Sequence, residues 1–128
     1  MNERNSPLSA LAKEDYCYLT TKGRVSGKPH EIEIWFGLLN RTLYLLSGGG
    51  RSDWVKNLIK DPAVTVRIGQ QTFTGIARLV TDAEEERQAR FLVARKYNEM
   101  DDENTLDEWA RTALPVAVDL TSPGSDRS

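Results

Sequence analysis

The sequence predicts an α+β domain in which six antiparallel strands curl into a small barrel or half-barrel with helices at its periphery. Three observations carry this reading. Short runs of alternating apolar and polar residues are joined by hairpin-length connections. The period turns helical in only a few places, one of them between the third and fourth strands. An open six-stranded meander would leave two unpaired edges, which closure removes. With 128 residues and 39% hydrophobic content, the chain can fill one core and is too short for two ordinary domains. We place that domain at residues 14–120, after an N-terminal tail with a short helix at 1–13 and before a disordered tail at 121–128.

The elements follow in order. "SPLSALAKED" starts with Ser6 as a helix cap and Pro7 at the first helical position. "DYCYLTT" alternates as a strand, with Cys17, Leu19 and Thr21 on one face. After the glycine-bearing connection "GRVSGK", the run "PHEIEIWFGLL" reads as one long strand, with Ile32, Ile34 and Phe36 opposite Glu31, Glu33 and Trp35. Asn40 and Arg41 turn the chain into "TLYLLS". "GGGRSDWVKNLIKDP" changes period: Trp54, Val55, Leu58 and Ile59 form an apolar stripe, Lys56, Asn57 and Lys60 point outward, and Pro62 stops the helix. "AVTVRIG" and "TFTGIARLV" make a hairpin about Gln70 and Gln71, in which Gly75 predicts a bulge or a close backbone approach. Thr81 and Glu84 read as a capping box for a long helix, "NTLDEWARTA" as a second short one, and "LPVAVDL" as the last strand.

Composition narrows the function. A net charge of −2 and a pI near 5.5 lack the basic footprint of a nucleic-acid binder. Charge is nevertheless segregated: residues 20–60 hold seven Lys/Arg against three acids, and residues 82–108 hold ten acids against four bases. That asymmetry predicts an anionic ligand on one side and a solvated helical face on the other. Cys17 is the sole cysteine, so neither an intrachain disulfide nor a cysteine metal cluster can form. His30 is the sole histidine, which excludes a multi-histidine zinc site and weighs against a Ser-His-Asp triad. Its expected role is that of a polar strand residue. The opening residues lack the apolar run of a signal peptide and no stretch is long and apolar enough to span a bilayer, so the expected location is the cytoplasm.

Two donor clusters stand out. Arg24, Ser26 and Lys28 lie within five residues of a strand connection, and Gly48, Gly49, Gly50, Arg51 and Ser52 lie between a strand and a helix. The second offers backbone N–H groups, a cation and a hydroxyl to a phosphate, without the spacing of a Walker loop or of a dinucleotide-binding glycine motif. Either cluster alone is commonly a solvated turn. Together, on neighbouring strand ends, they predict one cationic pocket.

The stretches "TTKGRVSGKP" and "GGGRSDWVKNLIKDPAVTVRIG", with the spacing of Trp54, Asn57, Leu58, Asp61 and Pro62, resemble the deazaflavin-dependent nitroreductases of the split β-barrel flavin and deazaflavin oxidoreductase superfamily. The resemblance covers about residues 16–120 and implies a six-stranded split barrel, usually a homodimer. Such proteins bind coenzyme F420 and pass hydride from its reduced form to a quinone, a nitro compound or an activated double bond. It implies that Arg24, Ser26 and Lys28 hold the phosphate and anionic tail on one wall, and that the glycine run, Arg51 and Ser52 supply the other, with Trp54 and Lys56 following. Ile32, Glu33 and Ile34 would lie along the tricyclic ring through their backbone, and Tyr97 is a candidate proton donor. Where members often carry Thr-Thr-Pro this chain has Glu31-Ile32-Glu33, which keeps FMN open as the alternative cofactor. A non-catalytic carrier of a planar anion is the alternative outside enzymes.

Overall fold

The computed structural model describes residues 11–47, 53–98 and 113–123. In chain order these form β1 (Cys17–Lys22), β2 (Pro29–Ile34), β3 (Gly37–Leu39), β4 (Thr42–Ser47), α1 (Asp53–Lys60), β5 (Ala63–Ile68), β6 (Gln71–Leu79), α2 (Ala83–Asn98) and β7 (Leu114–Pro123). The strands make one antiparallel sheet of order β2-β1-β5-β6-β7-β4-β3. This order requires curvature. Its two terminal strands, β2 and β3, are consecutive in the chain with only Trp35 and Phe36 between them. Three peptide steps reach at most about 11 Å, so the sheet must curl until its edges approach, giving the half-barrel of a split-barrel fold.

The same corner accounts for seven strands in place of six. Ile34 still pairs with Cys17 on β1, whereas Gly37 already pairs with Tyr44 on β4, so the run expected as one strand serves both edges and breaks between them. Alternation survives the break: Phe36 is fully buried, Ile32 and Ile34 are half-buried, and Glu31, Glu33 and Trp35 are exposed. Lys96 of α2 secures the corner, donating from Nζ to the Phe36 carbonyl at 3.1 Å and lying 3.5 Å from the ring centroid. Burial there pulls the Lys96 pKa down to about 8 and pushes the neighbouring Cys17 thiol up to about 12.

Two cores result. The barrel interior holds Leu19, Leu43, Leu45, Val66, Val116 and Val118, closed at one end by Trp54, Val55 and Leu58 of α1. Outside the barrel, Tyr44, Leu46 and Ala117 meet Ala89, Val93 and Ala94 of α2. Strands β4 and β7 are thus covered on both faces, which is why "LYLL" and "VAV" read as continuous apolar runs.

Several boundaries move. The β5–β6 turn falls on Gly69 and Gln70, because Gly69 supplies a φ of 59° and Gln71 pairs with Ile68. Helix α2 is capped one residue later than expected, by Asp82 instead of Thr81: Asp82 Oδ2 accepts from the Glu85 N–H at 2.9 Å. At Gly75 a bulge and a close approach coincide. The β6–β7 register shifts between Thr74 and Gly75, and a Cβ at residue 75 would lie 2.6 Å from Val118 Cγ1. Strand β7 runs to Pro123, past the boundary placed at Leu120. The helices expected at 6–15 and 104–113 fall largely outside the described residues. Among the described residues, no helix is long and apolar enough to cross a membrane.

Candidate functional site

A cleft of about 450 Å³ opens between the β1–β2 hairpin and the first turns of α1. The hairpin loop supplies Arg24 and Ser26, β2 supplies His30, Glu31 and Ile32, and α1 supplies Asp53, Trp54 and Asn57. The hairpin closes on itself: Gly23 N–H donates to the Lys28 carbonyl at 2.8 Å, Gly27 N–H to the Gly23 carbonyl at 2.9 Å, and Lys28 N–H to Ser26 Oγ at 3.1 Å. Gly27 stands at a φ of 76°, a conformation that favours glycine.

Asn57 joins this hairpin to the helix. Its Oδ1 accepts from the Arg24 main-chain N–H at 3.2 Å and from Arg24 Nη1 at 2.8 Å, while its Nδ2 donates to Thr21 Oγ1 at 3.1 Å. From the same helix, Lys60 Nζ donates to the Arg24 carbonyl at 2.8 Å. The helical stripe is therefore rotated from the one expected: Asn57 is buried and Ile59 is 59% exposed. On a helical wheel Asn57 lies about 80° and Ile59 about 120° from the middle of the Trp54–Leu58 line, so Asn57 falls nearer the inner side, where the polar groups of the hairpin satisfy its amide. Periodicity contained half of this signal, since Asn57 is three residues from Trp54. Partners from a different strand supplied the rest.

The Arg24 guanidinium is held mainly by a neutral group and paired only with an exposed carboxylate. Its closest partner is the uncharged Asn57 amide, and its one carboxylate, on the exposed Asp53, is 3.3 Å away. A positioned cation and the Ser26 hydroxyl at the rim, with Ile32 and Trp54 behind them, fit a ligand that carries both an anionic group and a flat apolar part.

The structure brings Arg24, Ser26, Ile32 and Trp54 together at this cleft. Lys28 is exposed on the same hairpin, and Lys56 is exposed on α1. Ile34 packs against the barrel core. Glu33 lies on the outer face of the sheet, where it accepts from Tyr18 Oη at 2.6 Å, a bond that raises the Tyr18 pKa. Gly48, Gly49, Gly50, Arg51 and Ser52 lie outside the described residues, and Tyr97 falls on α2 with its side chain likewise outside them. Thr21, His30, Asp53 and Asn57 also line the cleft and were not among the residues selected from sequence.

A second polar junction ties α2 to the barrel. Arg78 on β6 donates from Nη1 and Nη2 to Glu85 at 2.9 and 2.8 Å, and from Nε to Asp119 at 2.7 Å. Tyr44 Oη donates to Glu85 at 2.7 Å, and Thr42 Oγ1 to Asp119 at 3.0 Å. The Arg78 and Tyr44 hydrogen bonds hold the Glu85 pKa down to about 2, and Arg78 lowers that of Asp119. Burial, then the Glu85 bond, pushes Tyr44 up to about 12.

Solved structures share this architecture. A conserved hypothetical protein of Mycobacterium tuberculosis aligns with a TM-score of 0.78 over 96% of this chain and 82% of its own, at 21% identity. The heme storage protein HutZ of Vibrio cholerae aligns at 0.70 over 89% and 87%, with 15% identity. An F420H2-dependent reductase aligns at 0.63 over 81% and 93%, with 23% identity. At these identities the likeness is one of fold. None of the curated proteins matches the chain. The family model described as F420H(2)-dependent quinone reductase matches residues 3–121, nearly the whole sequence and both walls of the cleft, and the chain belongs to that family.

Proposed function

We propose that the protein binds reduced coenzyme F420 in the cleft between the β1–β2 hairpin and α1 and delivers hydride to a quinone. The observation that carries this reading is the state of Arg24, a cation fixed by a neutral amide in a cleft that Ile32 and Trp54 also line. The coenzyme, when bound, supplies the hydride. The chain binds and orients. Arg24, Ser26 and Lys28 hold the anionic tail, joined by Arg51, Ser52, Lys56 and the amides of Gly48, Gly49 and Gly50. Trp54 and the backbone of Ile32, Glu33 and Ile34 flank the ring. Strand β2 suits that task because it ends the sheet and pairs only with β1 among the described strands. Tyr97 or solvent provides the proton.

A second copy of the chain completes the pocket in this reading. Tyr16 and Trp35, 44% and 38% exposed, offer aromatic surface for such an interface. Light scattering that gives only a 14.4 kDa species at micromolar concentration would overturn the dimer.

Fluorescence titration with F420 and with FMN tests the cofactor. We expect F420 to bind and Arg24→Ala to weaken it by about 1–3 kcal/mol. Equal affinity of the variant at low salt removes Arg24 from the site. Tighter binding of FMN assigns the cleft to a flavin, and failure of the F420H2-loaded protein to reduce any quinone leaves a carrier.

A further inference from the structure

His30 serves neither the Asn57 junction nor the barrel core. His30 opposes Thr21 across the β1–β2 ladder and lines the cleft beside Arg24 and Ser26. Its ring is seated on Gly23. A Cβ at residue 23 would lie 2.8 Å from His30 Nε2, 2.9 Å from His30 Cδ2 and 2.8 Å from Ser26 Oγ. The positive-φ glycines include Gly27 and Gly69 but not Gly23, so backbone conformation does not call for a glycine there. The absent side chain makes room for the imidazole beside the Ser26 hydroxyl, in the cleft that Arg24 also lines.

We propose that His30 is a ligand-contacting residue of the cleft, binding the anionic part of the ligand as the imidazolium alongside Arg24. The inference rests on the reading of this cleft as an anion site and adds a proton to it. Imidazolium offers two N–H donors, and histidine ordinarily changes charge between pH 5 and 8. The charged groups lining the cleft with it are Arg24 from the hairpin, Glu31 from β2 and Asp53 from α1; Lys28 lies two residues along the hairpin and Lys60 donates to the Arg24 carbonyl. Each carboxylate already faces a guanidinium, Asp53 with Arg24 at 3.3 Å and Glu31 with Arg67 at 3.9 Å. A bound anion is then the group that favours the charged ring, and binding takes up a proton.

The test is calorimetric titration of F420, FMN and inorganic pyrophosphate into wild type and His30→Gln at pH 6 and pH 8. It is paired with the imidazole proton resonance, which needs no assignment in a chain with a single histidine. We expect the wild-type to variant affinity ratio to be about 3–10 at pH 6 and near 1 at pH 8, since taking the ratio cancels titration of the ligand itself. The imidazole resonance should titrate at higher pH with ligand than without. The same ratio at both pH values, with an unmoved resonance for all three ligands, overturns the proposal. A pH-dependent ratio with pyrophosphate but no binding of F420 keeps His30 in the site and removes the F420 reading. No binding of any of the three to wild type removes both. If His30→Gln fails to fold, the resonance of the wild-type protein decides alone.

Discussion

Two junctions fasten helices to this barrel, and they treat their arginines differently. At the α2 junction, Arg78 faces two carboxylates and commits three nitrogens to them at 2.7–2.9 Å. At the α1 junction, Arg24 rests on a neutral amide, with a single carboxylate at 3.3 Å whose side chain is 84% exposed. The first arrangement is closed, since added anion would meet two negative charges and few remaining donors. The second sets the guanidinium against a single, solvent-screened carboxylate and fixes its direction with an amide. On the proposed reading, this geometry separates a structural arginine from a ligand-binding one, a distinction that the sequence alone does not make.

Removing each arginine should break the symmetry of effects. Arg78→Ala leaves Glu85 and Asp119 facing each other without a cation, and we expect a loss of about 2 kcal/mol in urea unfolding, the partial exposure of the network holding it below the cost of a buried pair. Ligand affinity should not change. A variant that unfolds normally and binds weakly would reverse the assignment of the two junctions.

Asn57→Ala sharpens the other side. It strips a partner from Thr21 and two bonds from Arg24, so we expect about 1–2 kcal/mol of stability to go. Anion affinity should fall by about tenfold as Arg24 loses its fixed position. A stability loss with unchanged affinity would show that the clamp holds the helix without orienting the cation.

The pH dependence of stability comes next in size. Glu85 is held down to about 2 when folded and has an ordinary value of 4.5. Its contribution is therefore complete above about pH 4.5 and is lost as pH falls toward 2, by about 1–2 kcal/mol after solvent screening. Arg78→Ala should flatten that acid limb, as a pH series of melting curves would reveal. The smallest effect is expected for Glu33→Gln. Glu33 lies on the outer face with Tyr18, away from the cleft lining, and quinone reduction should change less than about twofold. A hundredfold loss with cofactor affinity intact would make Glu33 an acid–base residue.

Local pattern determined much of this protein. Alternation placed β1, β5 and β6 and assigned the faces of Ile32, Ile34 and Phe36, and short apolar runs placed β4 and β7, because a strand's period and its apolar content are properties of the chain itself. The bulge glycine and the family motif were equally local. The tertiary structure alone decided the rest. Phe36 and Gly37 had to leave one edge of the sheet for the other, and nothing in "EIEIWFGLL" marks that break, because it is imposed by the pairing of β3 with a strand that comes later. Asn57 faces inward where Thr21 and Arg24 supply partners for its amide, and Ile59, farther round the helix, faces out. The two arginines differ because whether a charge is cancelled depends on which carboxylates the fold brings within 3 Å: Glu85 comes from the next element, seven residues on, but Asp119 comes from the last strand, forty-one residues away, and only the folded sheet puts it beside Arg78.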